Sequence, residues 1–238
     1  MQFSIYSELQ WWPGKEPAQV YAEVLEQIEN ADRVGFDTYS AIEHFFFPKF
    51  SASPDPIALF TAAAQRTKRI NFRTLVHVLP YHNPMVLASR IANADILTGG
   101  RYEFGVGRGH GWIPWRAGIA YSEMVERYDE SLEILFKALE SGGEPIDYDG
   151  RFFQINDARV VPPPTRKFRV FTGGTSDSRN LRVGIAHAEA SERAEALAEM
   201  VRRTRPAAEL EVVTALGPVV GAHAGPGTVG FFWFDDES

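Results

Sequence analysis

The residues best able to do chemistry stand inside or directly after apolar runs that are typical of β-strands. Glu43 and His44 follow one such run, and a carboxylate next to an imidazole is able to orient or charge it. His77 lies within another run, where it is either a hydrogen-bonded core histidine or a side chain that projects from the inner face of a parallel strand toward a ligand. Acid–base chemistry at Glu43 and His44 is therefore one hypothesis, and a packed loop histidine is the other.

A glycine-rich segment over residues 105–111 is a candidate phosphate site. It reads Gly-Val-Gly-Arg-Gly-His-Gly, so the backbone is able to approach a ligand closely while Arg108 supplies a forked donor. Its spacing is not that of the dinucleotide-binding fingerprint, and the sequence lacks the Gly-Lys-Ser/Thr of a P-loop. A tight turn without a ligand is the alternative. A second candidate cradle follows a later strand and consists of Gly173, Gly174, Thr175 and Ser176.

Three further side chains have two interpretations each. Arg127 lies on the helix after the glycine-rich segment, where an arginine is ordinarily solvated, and it matters only if that helix faces the same pocket. Trp112 and Trp115 either wall an apolar substrate or pack the loop. Together with the glycine-rich segments, these residues favour an aromatic, phosphate-bearing ligand such as flavin mononucleotide (FMN) or a deazaflavin, bound at the C-terminal ends of the strands.

Two kinds of site are not expected from the sequence. The six histidines are scattered, and no pair of them stands at i, i+4 beside a carboxylate, so we expect no metal site. The sequence also lacks the G-x-S-x-G motif in which a serine hydrolase carries its nucleophile.

Composition excludes several classes of protein. The chain has 238 residues, a formal net charge of −7 and no cysteine, so disulfides, thiolate zinc sites and cysteine nucleophiles are excluded. A net negative charge without a basic stripe argues against nucleic acid and anionic membranes as partners. The sequence shows no basic-then-apolar leader and no run of about 20 apolar residues. We therefore expect a cytoplasmic protein.

The pattern of apolar residues predicts strands that alternate with helices. Strands are expected at 3–6, 36–42, 70–79, 102–107 and 168–172, and helices at 18–34, 55–67, 85–97 and 122–139. This alternation implies right-handed βαβ crossovers and a parallel sheet. An open doubly wound sheet and a closed (β/α)8 barrel would both place the candidate side chains at the C-terminal ends of strands, and periodicity alone does not choose between them.

Seven short motifs, in order, give residues 1–178 a resemblance to the luciferase-like monooxygenase family. They are Gly35-Phe36-Asp37, Glu43-His44-Phe45-Phe46, Ala63-Ala64-Gln65-Arg66-Thr67, Val78-Leu79-Pro80 with Asn83-Pro84, Gly99-Gly100-Arg101, Gly105-Val106-Gly107-Arg108-Gly109 and Gly173-Gly174-Thr175-Ser176. Members of that family are flavin- or deazaflavin-dependent oxidoreductases on a (β/α)8 barrel. The resemblance implies a TIM-barrel-like α/β fold, complete or incomplete, to which this part contributes five strands.

The resemblance also implies roles for single residues. His44 matches the active-site histidine of the family, with Glu43 beside it, and Phe45 stands where many members have a second histidine. Leu75 and Val76 fall where the family has a non-proline cis peptide bond that supports the flavin ring. The cofactor would thus be held by Leu75, Val76, His77, Arg108, Gly109, His110, Arg127, Gly174, Thr175 and Ser176, and the substrate pocket would be lined by Phe45, Trp112 and Trp115.

The cofactor implied by the resemblance is FMN, with the deazaflavin coenzyme F420 as the alternative. Flavin members use the reduced ring and dioxygen to oxygenate an apolar substrate in a dry pocket, whereas deazaflavin members transfer hydride there. The implied partners are therefore a small molecule and dioxygen, and a homodimer is left open.

The last quarter of the sequence resembles a different family. Residues 181–235 are similar to the C-terminal end of DegV-family fatty-acid-binding proteins, and the motif G-x-H-x-G-P-G-x-x-G at 221–230 carries that resemblance. We therefore expect a luciferase-like partial barrel over 1–178 and a DegV-like segment over 179–238. The segment has strand candidates near 182–187, 210–214 and 228–234, which would complete an eight-stranded sheet. Two other functions are a lipid-binding module and an inactive composite or truncated barrel.

Overall fold

The structure is a computed structural model that describes residues 3–48, 50–109, 114–172, 181–204, 206, 208–215 and 229–235. The chain divides into two compact units, residues 1–173 and residues 174–238. Each unit has a sheet of its own. The candidate site residues that fall on described positions all belong to the first unit.

The first unit is an incomplete barrel. Its strands are β1 (Ser4–Ser7), β2 (Thr38–Ala41), β3 (Asn71–Val78), β4 (Tyr102–Gly107), β5 (Ile146–Asp149), β6 (Gln154–Ala158) and β7 (Val170–Thr172). Its helices are α1 (Pro17–Val34), α2 (Pro56–Ala64), α3 (Pro84–Leu97) and α4 (Met124–Glu140). Five strands pair in parallel in the order β1–β2–β3–β4–β7, which confirms the predicted α/β fold with five parallel strands.

Local sequence signals explain where the helices begin and end. Asp55 accepts a hydrogen bond from the backbone amide of Ala58, and Asn83 accepts from two amides of the first turn of α3, so each caps the helix that follows. The next residue after each cap is a proline, which suits the first position of a helix. Helix α1 ends at Gly35, whose φ of 104° is in the left-handed region that glycine tolerates.

The hydrophobic core of the first unit lies between the sheet and its helices. Its largest fully buried side chains include Tyr39, Phe60, Phe72, Tyr102 and Phe104. The opposite face of the sheet is more polar. There the guanidinium of Arg73 is paired with the carboxylate of Glu103 and lies 4.1 Å from the ring centroid of Phe171.

The alternation of side chains along β3 breaks at Leu75 and Val76. The register between β3 and β4 shifts between Thr74 and His77, and the Leu75–Val76 peptide bond is cis, as the family resemblance predicted. The shift places Thr74 and His77 on the same face, where both contact the hydroxyl of Tyr102. Strict alternation would put His77 on the opposite face. The structure makes His77 the hydrogen-bonded core histidine that is one of the two interpretations of its sequence position, and the register shift is the reason.

The polar segment 142–159, for which no element was predicted, contains the antiparallel hairpin β5–β6. The carboxylate of Glu130 on α4 fixes this hairpin, because it accepts hydrogen bonds of 2.8–3.1 Å from the backbone amides of Phe152 and Phe153. The hairpin is thereby attached to the same helix that carries Arg127.

The second unit is a three-stranded sheet with one helix. It comprises β8 (Leu181–His187), α5 (Ser191–Thr204), β9 (Glu209–Ala215) and β10 (Val229–Asp235), in the strand order β10–β8–β9. The three strands predicted near 182–187, 210–214 and 228–234 are confirmed. Strand β9 pairs with β8 in parallel and β10 pairs with it in antiparallel fashion. Val183 and Ile185 pack against Ala194, Ala198 and Val201 of the helix.

The expectation that these strands complete the parallel sheet is not met by the described residues. Their hydrogen-bonded partners in the described part of the chain are one another. Among the described helices, none is both long and apolar enough to cross a bilayer.

Candidate active site

A buried hydrogen-bond network joins the C-terminal ends of β2 and β3. The carboxylate of Glu43 lies 2.9 Å from Nδ1 of His77 and 2.8 Å from Nε2 of His82, and it accepts a third hydrogen bond from the backbone amide of Val78. Glu43 is 4% exposed and His77 is 1% exposed. The carboxylate is therefore held by three donors in a site from which water is almost excluded.

The network continues from His77 into the core. Nε2 of His77 lies 2.7 Å from the hydroxyl of Tyr102, which in turn lies 2.8 Å from Oγ1 of Thr74. Because an ionised carboxylate only accepts hydrogen bonds, His77 donates to Glu43 through Nδ1. The hydroxyl of Tyr102 is bonded on both sides, to His77 and to Thr74, so each of these polar side chains has a partner.

The electrostatics of the network keep Glu43 charged. Burial by itself would raise the pKa of its carboxyl, but the charges of His77 and His82 and the hydrogen bonds from both outweigh burial and lower the pKa to about 2. Burial raises the pKa of Tyr102, and the neighbouring Glu43 charge raises it further. At neutral pH the site thus contains a fixed anion and a neutral phenol. Such an anion is a weak base, and it is suited to orienting the imidazoles that contact it.

His44 lies on the other side of the loop from this network. Its backbone amide donates to the carbonyl oxygen of Ser53, and its buried ring stacks at a tilt on Phe50 with 4.5 Å between ring centroids. The sequence suggested that Glu43 orients the adjacent His44. In the structure the carboxylate of Glu43 contacts His77 and His82 instead.

The grouping of Glu43, His77 and His82 also has the composition of a metal site. Their ligand atoms all lie within 4.8 Å of one another, whereas the sequence indicated no such constellation. As arranged, each imidazole donates a proton directly to the carboxylate, and a metal would require those protons to leave. The geometry therefore favours a hydrogen-bond network, and the absence of a metal stays a prediction.

The glycine-rich segment is explained in part by packing. A Cβ added at Gly107 would lie 2.6 Å from Cγ2 of Val76, and one at Gly105 would lie 3.0 Å from Cγ1 of the same side chain. Gly109 has a φ of +81°, and a Cβ there would lie 2.5 Å from Val78. These glycines therefore let β4 approach β3, so the glycine pattern has a packing cause, and the phosphate site stays a prediction.

The two predicted phosphate-binding arginines have different surroundings. Arg108 is exposed at the end of β4, and its charge opposes the burial that raises the pKa of Tyr128 on α4. Arg127 is half-buried. Its Nε donates to the carbonyl oxygen of Pro80 at 3.3 Å, and its guanidinium lies 5.1 Å and 5.4 Å from the ring centroids of Phe152 and Phe153. Arg127 thus connects the end of β3 with the β5–β6 hairpin.

The remaining predicted residues separate into two groups. Phe45 lies within 5.9 Å of the Tyr81 ring and 6.2 Å of the His82 ring, measured between centroids, so it adjoins the network. Trp115 is 68% exposed, with the guanidinium of Arg116 4.3 Å from its ring. The other predicted site residues lie outside the described residues: His110, Trp112, Gly174, Thr175 and Ser176.

Three side chains of the network were not predicted from the sequence: Thr74, His82 and Tyr102. His82 follows β3 as directly as His44 follows β2, so the same positional signal was available for it. Tyr102 gave no signal, because its sequence context is that of a buried strand residue and its hydroxyl becomes relevant only after β3 and β4 have paired.

A cavity of about 470 Å³ adjoins His44 and Phe45. It lies between the start of α1 and the loops that precede α1 and α2, and Trp11, Tyr21 and Phe47 also line it. Another groove, of about 530 Å³, runs between α3 and the segment 158–162 and is lined by the more polar Ser89, Arg90, Asn93 and Arg159 among others.

A parallel sheet flanked by helices, with a buried Glu–His network at the C-terminal ends of its strands, defines an enzyme-like α/β barrel unit. The sequence profile of the luciferase-like monooxygenase family matches residues 1–224, and the chain therefore belongs to that family. The matched range includes most of the segment that resembled DegV proteins. Nothing in the comparisons supports that second resemblance.

Individual relatives agree with the family. The chain is 35% identical over 156 residues to 4-hydroxyprotoasukamycin monooxygenase of Streptomyces nodosus subsp. asukaensis. The aligned segment covers 64% of this chain and 41% of the relative. It is 28% identical over 156 residues to an F420-dependent glucose-6-phosphate dehydrogenase of Segniliparus rotundus, which covers 63% of this chain and 46% of the relative. The chain spans about half the length, or less, of such relatives.

Solved structures show the same fold. The monooxygenase RslO1 of Streptomyces bottropensis superimposes with a TM-score of 0.67 at 26% identity, over 84% of this chain and 57% of that one. The oxygenating component of 3,6-diketocamphane monooxygenase of Pseudomonas putida, solved in complex with FMN, gives a TM-score of 0.65 at 25% identity, over 72% and 51%. The homologues thus include proteins that use FMN and proteins that use F420.

Proposed function

We propose that this chain is the cofactor-binding part of a flavin-dependent oxidoreductase of the monooxygenase type. Its cofactor would be FMN, with F420 as the alternative, and its reactants a small apolar molecule and dioxygen. The observation that supports this most directly is the position of the Glu43 network, Phe45 and Arg108 at the C-terminal ends of β2, β3 and β4. Ligands of parallel α/β barrels bind at that end of the strands.

The residues present fit a flavin nucleotide. Its ring needs an apolar wall, and the partly exposed side chains of Leu75 and Val76 form one at the break in β3. Its phosphate needs a cation that is not already buried in an ion pair, and Arg108 is exposed at the end of β4. Arg127 is committed to Pro80 through Nε, so it would act chiefly through the remaining nitrogens of its guanidinium.

The bound flavin would supply the redox chemistry, and the chain would supply position, protons and exclusion of water. Glu43 would hold His77 and His82 in fixed orientations, and Tyr102 would support His77 from its other ring nitrogen. Phe45 packs edge-on against His82 and would keep water from that imidazole. His44 would act from the loop, where the family places its active-site histidine.

Titration with FMN and with F420 tests the proposal. We expect quenching of cofactor fluorescence with micromolar affinity for one of the two, and a loss of at least tenfold in affinity in Arg108→Ala. Arg33→Ala is the matched control, because Arg33 is exposed at the distant end of α1. Absence of binding of both cofactors would contradict the proposed function. Equal affinity in wild type and Arg108→Ala would show that Arg108 does not contribute to cofactor binding.

A homodimer and a cytoplasmic location remain predictions from the sequence. The cavity beside His44 is the feature of the structure that indicates a class of substrate.

A further inference from the structure

The cavity beside His44 is walled by aromatic rings and prolines from three segments of the chain. The loop before α1 contributes Trp11, the first turns of α1 contribute Pro17 and Tyr21, and the loop before α2 contributes its run of phenylalanines. The volume of about 470 Å³ lies within the range of about 300–1,000 Å³ that is usual for small-molecule sites.

Three polar side-chain atoms around this cavity are already hydrogen-bonded within the protein. Nε1 of Trp11 donates to the carbonyl oxygen of Lys15 at 2.7 Å, and the hydroxyl of Tyr21 donates to the carbonyl oxygen of Ala52 at 2.5 Å. Oγ of Ser51 accepts from the amide of Ser53. The described walls therefore present carbon to a ligand, and a strongly polar molecule would lose its water without replacement.

Both loops that form the walls include a residue in an unfavourable backbone conformation. Phe46 has a φ of 62° and Leu9 has a φ of 48°, which is the left-handed region that large side chains avoid. Phe46 also leaves its ring 53% exposed at the cavity, so the strained backbone is not offset by burial of the side chain. Such strain at an exposed aromatic residue is typical of positions that contact ligands.

We propose that this cavity binds an uncharged, apolar molecule built on one or two fused rings. Flat aromatic walls contact a ring-shaped ligand over a large area. A flexible chain would lose conformational freedom on binding, so we expect the cavity to favour rings over chains. The role of this molecule as the substrate rests on the proposed oxidoreductase function, to which the cavity adds the substrate class. Its binding does not depend on that function.

Binding of naphthalene, measured by ligand-observed NMR and by calorimetry on the full chain, tests the proposal. We expect saturable binding in wild type and a loss of at least tenfold in affinity in Ala52→Leu, whose added carbons would fill the cavity. The matched control is Ala158→Leu, which enlarges a side chain in the groove beside α3 and should leave the affinity unchanged. Decane, which is apolar but has no ring, should bind at least tenfold more weakly than naphthalene.

Circular dichroism confirms folding of each variant, and Phe46→Gly provides a second substitution in the wall in case Ala52→Leu does not fold. Absence of saturable naphthalene binding in wild type would overturn the proposal. An affinity equal to that of wild type in both wall variants, Ala52→Leu and Phe46→Gly, would overturn it as well. If the chain binds FMN or F420 but does not bind naphthalene, the proposed ligand of the cavity is wrong and the proposed oxidoreductase function stands. If the chain binds naphthalene but neither cofactor, the proposed function is wrong and the proposed ligand of the cavity stands.

Discussion

The side chain of Val76 in β3 occupies the space that any side chain at position 107 of β4 would need. Cγ2 of Val76 lies 2.6 Å from the position of a Cβ on Gly107, which is far below a normal carbon–carbon contact. Gly105 is in a similar position against Leu75 and Val76, with distances of 3.1 Å and 3.0 Å. The glycines of β4 therefore leave the space that the side chains at the break in β3 occupy.

The first prediction concerns this pair. Gly107→Ala should destabilise the first unit by about 1–3 kcal/mol, because the added methyl overpacks a site where Val76 is the obstacle. Urea unfolding followed by tyrosine and tryptophan fluorescence measures the change. Val76→Ala in the same background should recover at least half of the loss, although Val76→Ala alone destabilises. Strictly additive effects of the two substitutions would show that the contact does not limit position 107.

Much of the fold was predictable because each element has a local cause. The helix over 84–97 follows from Asn83 and Pro84, and the end of α1 follows from Gly35. Strand β4 has the bounds that its apolar run predicts. The hairpin over 146–158 was missed because its strands are short and polar and depend on Glu130, a residue that is distant in sequence.

The candidate site was predictable only in part. The position of Glu43 after a strand identified it, but not its partners, because a pairing over 34 residues depends on the register of β3. The sequence left His77 as either a core histidine or a ligand contact, because the register shift that turns it toward Tyr102 depends on the pairing of β3 with β4. The family resemblance located the break at Leu75 and Val76, which no periodicity in the sequence shows.

The second prediction concerns the pH dependence of stability. The pKa of Glu43 is lowered in the folded chain to about 2 from 4.5, so ionised Glu43 contributes stability that is complete above pH 4.5. That contribution, roughly 3 kcal/mol, is lost as the pH falls through 2. Urea unfolding at pH 6 and at pH 2.5 should show Glu43→Gln much less stable than wild type at pH 6, with a smaller difference at pH 2.5.

Glu29→Gln is the control for this experiment. Glu29 is paired with Arg66 at the surface, where an ion pair contributes about 0–1 kcal/mol. Its removal should change stability little at either pH. A difference between wild type and Glu43→Gln that stays constant from pH 6 to pH 2.5 would contradict the assigned charge of Glu43.

The third prediction concerns Tyr102. Tyr102→Phe removes the hydroxyl that is hydrogen-bonded to Nε2 of His77 and to Oγ1 of Thr74, and it leaves both groups buried, so we expect a loss of about 1–3 kcal/mol in unfolding free energy. Tyr39→Phe is the matched control, because the Tyr39 ring is equally buried but its hydroxyl contacts Gln27, which is exposed, and Ser7, which is only partly buried, so both partners regain water. Equal losses in the two variants would show that the network does not depend on the Tyr102 hydroxyl.

The fourth prediction concerns Phe46. Phe46→Gly should raise the unfolding free energy by about 0.5–1 kcal/mol or leave it unchanged, because glycine adopts a φ of 62° without strain and the lost ring is half-exposed. Phe46→Ala should be less stable than Phe46→Gly, since alanine retains a Cβ at the same φ. Thermal unfolding of both variants measures the order. A more stable alanine variant would contradict the left-handed conformation of residue 46.

The fifth prediction separates the two roles open to Arg127. Its Nε bond to Pro80 and its position over Phe152 and Phe153 predict that Arg127→Ala loosens the β5–β6 hairpin and lowers stability by about 1–2 kcal/mol. Arg108 is exposed, so Arg108→Ala should weaken cofactor binding while leaving stability unchanged within about 0.5 kcal/mol.

Hydrogen exchange of the hairpin amides, measured without cofactor, tells these roles apart. A residue that only binds phosphate would leave exchange at 146–158 unchanged when it is replaced. We expect faster exchange there in Arg127→Ala, partial protection in Arg127→Lys, and no change in Arg108→Ala. Lysine keeps the positive charge but has neither the Nε–H nor the planar group that lies over the two rings. If the shape of the guanidinium holds the hairpin, lysine should rescue the exchange rates only in part, whereas a role of the charge alone predicts full rescue.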